Sequence, residues 1–278
     1  MVIVDLNQTL IATLMAHLGQ GIEHDEGMLR SMVLGSLLNI RKRFKDEGQM
    51  ILAADHISWR RSVFPYYKAN RSKSKEDSPL DWDAVFKTLN MIRDELHEWF
   101  PYIVIHEEGA EGDDIIGVLV HEHGQILGGE KIVIVSGDKD FKQLHGYANV
   151  YQWDHVNKKR VTCDDPDAFL LEHVVRGDSG DGVPNVRSRG DCFVTKTKQL
   201  PITAKILAEM AKAGETHPEY GDNYRRNSQL IDLKNTPDEL RERILANYRA
   251  QLGKPRKNLL PYFIAKKLKL LAPNAGEF

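Results

Sequence analysis

The stretch Ile132-Val133-Ile134-Val135-Ser136-Gly137-Asp138-Lys139-Asp140 is an apolar run followed at once by two acidic residues. Four β-branched residues in succession, bounded by Ser and Gly, predict a strand that is buried on both faces of a parallel sheet. The chain has three more apolar runs of this kind, at Val2–Leu6, Met50–Ala54 and Tyr102–Ile105. We therefore expect an α/β fold that begins almost at the first residue.

Amphipathic segments separate these strands. Apolar residues at helix spacing predict helices over Met28–Phe44, Trp82–Trp99 and Asp113–His123. Strands and helices that alternate in this order predict a central, mostly parallel sheet with helices on both faces. We assign this α/β domain to residues 1–150.

The pattern changes after residue 150. Val150–Trp153 and Arg160–Cys163 predict a hairpin. Helices are then predicted at Pro166–Arg176, Pro201–Ala213, Pro237–Gln251 and Pro261–Leu270, with a loop at Ala213–Asn223. We assign residues 151–278 to a second region that is mostly helical.

The charges are segregated along the 278 residues, although the net charge is only −2. Residues 56–75 contain six basic residues and no acidic one, and residues 249–269 contain seven basic residues and no acidic one. Two cysteines are too few for a disulfide framework or a structural zinc site. The sequence contains no apolar run of 18 residues, so it predicts no transmembrane helix. Its first residues lack the positive charge that begins a signal peptide, and we therefore expect a cytoplasmic protein.

Acidic residues follow each predicted strand of the α/β domain. Asp5 ends the first strand and Asp55 the second; the remaining acids are Glu111, Asp113 and Asp114 after the third, and Asp138 and Asp140 after the fourth. Because the carboxyl ends of parallel strands share one edge of the sheet, these carboxylates should converge. Crowded carboxylates repel one another, and a cation relieves that repulsion. Oxygen ligands suit Mg²⁺ or Mn²⁺, and two such ions can hydrolyse a phosphodiester.

Any one of these acids could instead be an ordinary helix cap or turn former, and we predict that role for Asp81 and Asp165. A further acidic pair, Asp178 and Asp181, lies in a Gly-rich turn between Arg176 and Pro184 and could face one way. The coincidence of four acidic sites at matching strand ends favours a metal centre over a set of unrelated caps.

The basic block after the second strand also contains aromatic residues: Trp59, Phe64, Tyr66 and Tyr67. Cations bind phosphates and aromatic rings stack on unpaired bases, so this mixture suits a single-stranded nucleic acid. The alternative is a solvated loop whose aromatic rings fill the core. Four cations after the second acidic pair suit duplex phosphates: Arg187, Arg189, Lys196 and Lys198. The basic block at the C-terminal end either extends that surface or is the solvated face of amphipathic helices.

As a set, these residues resemble the 5′-nuclease or flap endonuclease superfamily, most of all its T-even bacteriophage members of the ribonuclease H type. The resemblance covers nearly the whole chain. The segments that carry it are Ile3-Val4-Asp5, Ala54-Asp55, Trp59-Arg60-Arg61, Tyr66-Tyr67-Lys68-Ala69-Asn70-Arg71, Asp81-Trp82, Pro101-Tyr102-Ile103-Val104, Glu111-Gly112-Asp113-Asp114, Ser136-Gly137-Asp138-Lys139-Asp140-Phe141, Gln143-Leu144-His145 and Gly177-Asp178-Ser179-Gly180-Asp181.

The resemblance implies a PIN-like 5′-nuclease fold and a role for each part of the site. One divalent ion would be held by Asp5, Asp55, Asp113 and Asp138 with Glu111 close by, and a second by Asp140, Asp178 and Asp181. A basic arch at about residues 58–80 would carry Lys68, with Arg60 or Arg71, over the metals to steer the scissile phosphate, while Arg61, Tyr67 and Lys73 would contact the nucleic acid. The segment Gly177–Thr197 would form a variant helix-turn-helix that grips the duplex backbone.

Two departures from the family pattern limit what the resemblance implies. Val183-Pro184-Asn185-Val186-Arg187-Ser188-Arg189 replaces the glycine-rich run with which other members bind potassium, so K⁺ is not expected. The phage members also carry an N-terminal extension that contacts a sliding clamp. This chain lacks that extension, so a clamp contact is not expected either.

We therefore predict a two-metal 5′-to-3′ exonuclease and flap endonuclease that uses Mg²⁺, with Mn²⁺ able to substitute. The resemblance implies RNA primers, 5′ flaps and nicked or gapped duplexes as substrates, a monomer acting in DNA replication in a phage-infected host cytoplasm, and a single-strand-binding protein as a candidate partner. Two alternatives remain. Val4-Asp5-Leu6-Asn7-Gln8-Thr9 is similar to the nucleophile motif of haloacid-dehalogenase phosphatases, although Asn7 stands where that motif needs an acid. A non-catalytic nucleic-acid-binding protein would need the basic segments but not the acids.

Overall fold

One six-stranded sheet organises the fold of the computed structural model, which describes residues 1–18, 25–69, 81–125 and 127–278. The strand order is β3-β2-β1-β4-β5-β6. The strands are β1 (Val2–Asp5), β2 (Met50–Ala54), β3 (Ile103–His106), β4 (Ile132–Val135), β5 (Val150–Asp154) and β6 (Lys159–Val161). The first five run parallel and β6 pairs antiparallel with β5, which confirms the predicted mostly parallel sheet.

Side chains from the central strands alternate between two cores. Val2 and Val4 face a core shared with the helices of one face, whereas Ile3 faces a second core on the other. All three are essentially inaccessible to solvent. Burial on both faces explains why these strands are continuous apolar runs, because neither face can carry polar residues.

Ten α-helices surround the sheet in the part of the chain that the structure describes. They are α1 (Leu6–Leu18), α2 (Glu26–Arg43), α3 (Arg60–Val63), α4 (Trp82–Trp99), α5 (Gly112–His123), α6 (Pro166–Arg176), α7 (Ala204–Ala213), α8 (Gly221–Ile231), α9 (Asp238–Ala250) and α10 (Leu260–Ala265). Short 3₁₀ segments lie at Lys139–Gly146, Gly214–Thr216, Leu233–Asn235 and Ala272–Asn274. None of the helices in these described ranges is long and apolar enough to cross a membrane.

Side-chain caps define several helix starts. Asp81 accepts a hydrogen bond from the Ala84 amide at 3.0 Å, and Asp165 accepts one from the Ala168 amide at 2.9 Å. Both residues are therefore the helix caps that the sequence predicted. The helix after Asp165 ends at Gly177, whose φ of 70° suits glycine.

The sequence pattern did not predict three of these helices: α1, the four-residue α3 and α8. Helix α1 follows β1 without a polar break, so its buried residues, spaced by four as in Leu6, Leu10 and Leu14, merged with the strand pattern. Helix α8 begins inside the stretch predicted as a loop, because its sequence is mostly polar and its apolar pair Leu230 and Ile231 comes only at the end.

The region after residue 150 differs from the prediction in two respects. Strand β5 hydrogen-bonds in parallel to β4, so the hairpin extends the sheet rather than beginning the helical region. Residues 177–203, all described, form turns and no α-helix, so the expected helices within Gly177–Thr197 are wrong. Four glycines and Pro184 between residues 177 and 190 disfavour helix there.

Candidate active site

The acidic site lies where the strand order reverses. The chain passes from β1 to β2 and β3 on one side and then returns to place β4 beside β1, so the crevice beyond β1 and β4 is the topological switch point. Asp5 ends β1, Asp138 follows β4 and Asp55 follows β2. The convergence predicted from the strand ends is therefore present.

The N-terminus of α5 packs directly against two of these acids. The Gly112 amide donates to Asp55 Oδ1 at 2.7 Å. A Cβ atom on Gly112 would lie 3.1 Å from that same oxygen and 3.9 Å from Asp5 Oδ1. Glycine thus allows a close approach, and the positive end of the helix dipole points at both carboxylates. The same helix start places Asp113 in the site.

Four carboxylates, Asp5, Asp55, Asp113 and Asp138, form what we call the inner acid group. Burial and then the neighbouring charge of Asp55 raise the pKa of Asp5 to about 7, although Asp5 accepts hydrogen bonds from the Gln8 amide at 2.9 Å and Ser136 Oγ at 3.1 Å. Burial, followed by the charges of Asp138 and Asp5, raises the pKa of Asp113 as well. The group therefore holds more negative charge than its surroundings balance.

The loop after β4 is fixed by its own backbone. Asp138 Oδ1 accepts from the Asp140 amide at 2.9 Å, and the Asp138 amide donates to Ser136 Oγ at 3.1 Å. Gln152 of β5 is fully buried and donates to the carbonyl oxygens of Ser136 and Asp138 at 3.0 and 2.7 Å. These bonds fix the backbone that carries Asp138 and Asp140.

Three carboxylates, Asp140, Asp178 and Asp181, form an outer acid group. Asp178 Oδ2 lies 3.1 Å from His173 Nε2 and 3.0 Å from Lys139 Nζ. The His173 hydrogen bond and the Lys139 ammonium keep the pKa of Asp178 well below its usual range, although burial opposes them. Asp140 differs, because burial and the charge of Asp138 raise its pKa to about 7.

Gly177 makes the turn that carries the outer group possible. A Cβ atom at Gly177 would lie 2.4 Å from the Val183 carbonyl oxygen, so only glycine fits there. Asp178 and Val183 then form an isolated antiparallel bridge. Asp178 Oδ1 accepts from the amides of Gly180 and Asp181 at 2.8 and 3.2 Å, and both acids line one pocket with Asp113 and Asp140.

Lys68 and Tyr67 join Glu111 to Asp181. The Tyr67 hydroxyl lies 2.8 Å from Glu111 Oε2 and 2.8 Å from Asp181 Oδ2, and it can donate to one of them at a time. The Lys68 ammonium bonds to Glu111 and lies 3.5 Å from Asp181 Oδ2. Burial raises the pKa of Glu111, but Lys68 and Arg60 lower it below its ordinary value. Lys68 therefore brings a positive charge to the mouth of the site.

Two residues of the predicted arch are buried. Arg60 is 2% exposed, pairs with Asp114 at 2.8 Å and donates to the Leu230 carbonyl at 2.7 Å, so the expectation that it lies in an arch over the acids is wrong. Tyr67 is 4% exposed, so its ring is not available for stacking on a base. Phe64 is buried too, and the core-filling interpretation holds for both rings.

The remaining predicted contacts fall into two sets. Arg61 is exposed on α3, whereas Arg71 and Lys73 lie outside the described residues. Lys196 and Lys198 are exposed in the turns before α7. The cations near them are engaged: Arg189 pairs with Asp191 at 2.9 Å, and Arg187 donates to the Pro201 carbonyl at 2.8 Å.

Three site residues escaped the sequence analysis. Lys139 lies between Asp138 and Asp140 in the sequence. A cation flanked by two acids could have been predicted to contact a carboxylate, and it pairs with Asp178. His173 lies five residues before Asp178 on α6, and no spacing rule singles it out. Asn7 Oδ1 accepts from the Asp55 amide at 3.0 Å and so positions an acid, which accounts for Asn7 without a phosphatase motif.

Comparison with known proteins agrees with this geometry. Residues 1–171 match the family model of the 5′-3′ exonuclease N-terminal, resolvase-like domain, and residues 165–278 match that of the T4 RNase H C-terminal domain. The chain therefore belongs to the 5′-3′ exonuclease family and is a nuclease of the exonuclease and flap endonuclease class. The phosphatase and non-catalytic alternatives find no support.

Within that class, the chain is 32% identical to ribonuclease H of Enterobacteria phage T4 over 292 aligned residues, which cover 99% of this chain and 95% of the relative. It is 27% identical to flap endonuclease Xni of Shewanella loihica, covering 85% of this chain and 92% of the relative. The phage T5 D15 protein, co-crystallised with metal ions, superposes with a TM-score of 0.62 at 15% identity over 90% of this chain and 98% of that one. The superposition confirms the fold.

Proposed function

We propose that this nuclease is a divalent-metal-dependent 5′-to-3′ exonuclease and flap endonuclease that removes RNA primers and 5′ flaps and trims nicked or gapped duplexes during DNA replication. The observation that carries the proposal is the inner acid group, whose four carboxylates gather at the sheet's switch point, where burial and neighbouring charges raise the pKa of Asp5 and Asp113. A bound cation relieves the repulsion among these carboxylates, so the group is more stable with a cation than without one.

The acids fit such cations. All seven carboxylates of the inner and outer groups offer hard oxygen donors, which Mg²⁺ prefers and Mn²⁺ accepts. Asp140 Oδ1 is buried and has no hydrogen-bond partner among the described residues, as expected of an atom reserved for a ligand. We assign one ion to the inner acid group with Glu111 close by, and a second to the outer acid group.

Such ions, when bound, activate water and neutralise charge on a phosphodiester. The chain itself supplies the positioning. The Lys68 ammonium lies between Glu111 and Asp181. When substrate binds, it can release one of these carboxylates and pair with the scissile phosphate instead. Arg60, held beneath the site, orients Glu111 and Asp114 rather than touching substrate. Attack by water, with no covalent enzyme intermediate, leaves a 5′-phosphate on the product.

Exposed cations give the substrate a second point of contact. Lys196 and Lys198 lie in turns beyond the outer acid group and suit duplex phosphates, which position a substrate without reading its sequence. A complex of the phage T5 D15 flap endonuclease with DNA and metal ions, with a TM-score of 0.61 to this chain, supports DNA as a substrate. We further propose that the protein acts as a monomer in a host cytoplasm, with a single-strand-binding protein as a candidate partner.

The test is cleavage of a 5′-labelled flap duplex beside a blunt duplex of the same sequence, with Mg²⁺, with Mn²⁺ and with chelator. We expect short labelled products from the flap that disappear on chelation. An Asp138→Asn variant serves as the matched inactive control. Cleavage that persists in chelator, or an absence of cleavage with both metals, would overturn the proposal.

A further inference from the structure

We propose that His173 is a direct nitrogen ligand of the cation held by the outer acid group. Nδ1 and Asp140 bind the ion, whereas Asp178 lies on the other side of the ring and orients it, so this site has a mixed nitrogen and oxygen donor set. The inference rests on the proposed function, because it assumes a cation at that group. It departs from the all-oxygen set that the acids alone would provide, and it assigns a ligand from α6 that the acidic motifs do not contain.

Two buried atoms that face each other carry the inference. His173 is 6% exposed, and its Nδ1 atom has no hydrogen-bond partner among the described residues. Asp140 Oδ1 is equally buried and unpartnered, and the two atoms lie 3.4 Å apart. Buried polar atoms are nearly always satisfied, so a pair left open points to a missing partner. Two atoms that bind one ion at about 2.1 Å each lie roughly 3 to 3.5 Å apart, which matches this pair.

The other side of the imidazole ring favours the same assignment. His173 Nε2 lies 3.1 Å from Asp178 Oδ2, an arrangement in which Nε2 carries the proton and donates it to the carboxylate. A histidine that binds metal through one nitrogen commonly donates its other N–H to a carboxylate, which fixes the tautomer and turns the lone pair toward the ion. Lys139 Nζ approaches the same Asp178 oxygen at 3.0 Å and keeps it an acceptor.

The surroundings hold the ring in place. His173 lies in the last turn of α6, which packs on the 3₁₀ segment that carries Asp140. The ring of Phe169, one helical turn earlier, meets the His173 ring edge-on with centroids 5.6 Å apart. The imidazole is therefore set against the outer acid group before any ion arrives, as a preorganised ligand should be.

A nitrogen ligand changes which metals the site prefers. Mg²⁺ takes oxygen ligands and water, whereas imidazole suits transition metals, so the outer site should favour Mn²⁺ over Mg²⁺ more strongly than the inner one. Replacing His173 should weaken Mn²⁺ binding at one of two sites by about tenfold or more, since even indirect disruption of a metal site has that effect.

The decisive experiment is pulsed electron paramagnetic resonance of Mn²⁺ bound to the full chain, which detects ¹⁴N of a directly coordinated imidazole. We expect ¹⁴N modulation from one of two bound ions. His173→Gln removes Nδ1 but keeps an amide donor for Asp178, and it should abolish the modulation. His123→Gln, at the far end of α5, is the matched control and should retain it. Thermal melting of both variants reports on folding.

The outcomes separate the two proposals. Two bound Mn²⁺ ions without ¹⁴N modulation in the unmodified chain would overturn the His173 assignment alone and would leave His173 as a hydrogen-bond partner of Asp178. Unchanged modulation and Mn²⁺ affinity in His173→Gln would overturn it as well. A chain that binds no Mn²⁺ at all would overturn the assignment together with the metal-dependent function.

Discussion

Replacing Asp5 by asparagine should stabilise the metal-free protein while it destroys the metal site. Asp5 is 8% exposed, and burial together with Asp55 raises its pKa from 3.8 to about 7. Between about pH 4 and pH 7 the folded protein retains a proton that the unfolded chain releases, so the free energy of unfolding falls as pH rises through that window. Above about pH 7 the full penalty of a charged Asp5 is present.

The size of the effect follows from the change in proton affinity. A rise from 3.8 to about 7 corresponds to about 4 kcal/mol at 1.36 kcal/mol per tenfold change. This is an upper bound, because Asp55, Asp113 and Asp138 share the repulsion. Asparagine keeps an oxygen for the Gln8 amide and Ser136 Oγ, so about half of the penalty should be recovered as stability. For a chain of this size that raises Tm by roughly 5 °C.

The assay is thermal melting in chelator at pH 5 and pH 8. We expect Asp5→Asn to melt above the unmodified protein at pH 8 and by a smaller margin at pH 5, where about a third of the penalty has developed. Asp165→Asn is the matched control, because Asp165 is an exposed helix cap and asparagine caps equally well. Saturating Mn²⁺ should reverse the order at pH 8, since only the unmodified site gains from binding. Equal destabilisation of Asp5→Asn at both pH values would refute the reasoning.

Three further substitutions test other parts of the site. Asp138→Asn should abolish cleavage while the circular dichroism spectrum stays unchanged and Tm does not fall; full activity would contradict the metal assignment. Lys68→Ala should slow single-turnover cleavage more than it weakens duplex binding, because Lys68 contacts the acids rather than an outer surface; equal losses would place it in general binding. Arg60→Ala should lower the free energy of unfolding by about 3–5 kcal/mol, as expected when Asp114 is left buried and unpaired, and a loss below about 1 kcal/mol in a denaturant titration would argue against that role.

The fold and the inner acid group were accessible from the sequence because one physical constraint determines both. A parallel strand buried on both faces must be apolar throughout, so any acid it carries stands at its end. The positions of Asp5, Asp55 and Asp138 therefore indicated where three strands end and which edge of the sheet carries the acids. The family resemblance assigned Asp178 and Asp181 to the site, because their turn has no periodic pattern of its own.

The tertiary structure decided which charged residues meet each other. Arg60 and Tyr67 belong to a basic, aromatic run that suits a nucleic acid equally well, and only the packing of α3 shows that their partners are Asp114 and Glu111, more than forty residues away. Helix α8 was hidden for a related reason, because a polar helix with a short apolar end has too weak a period to detect.

The sequence by itself thus determined the sheet, the edge where the acids gather and the class of chemistry, since these depend on local burial and on where a strand ends. Only the tertiary structure brought His173 of α6 to Asp140 and Lys68 to Glu111. Contacts of that kind depend on how one element lies against another. No local pattern encodes the distance between two side chains that meet only after the helices have packed.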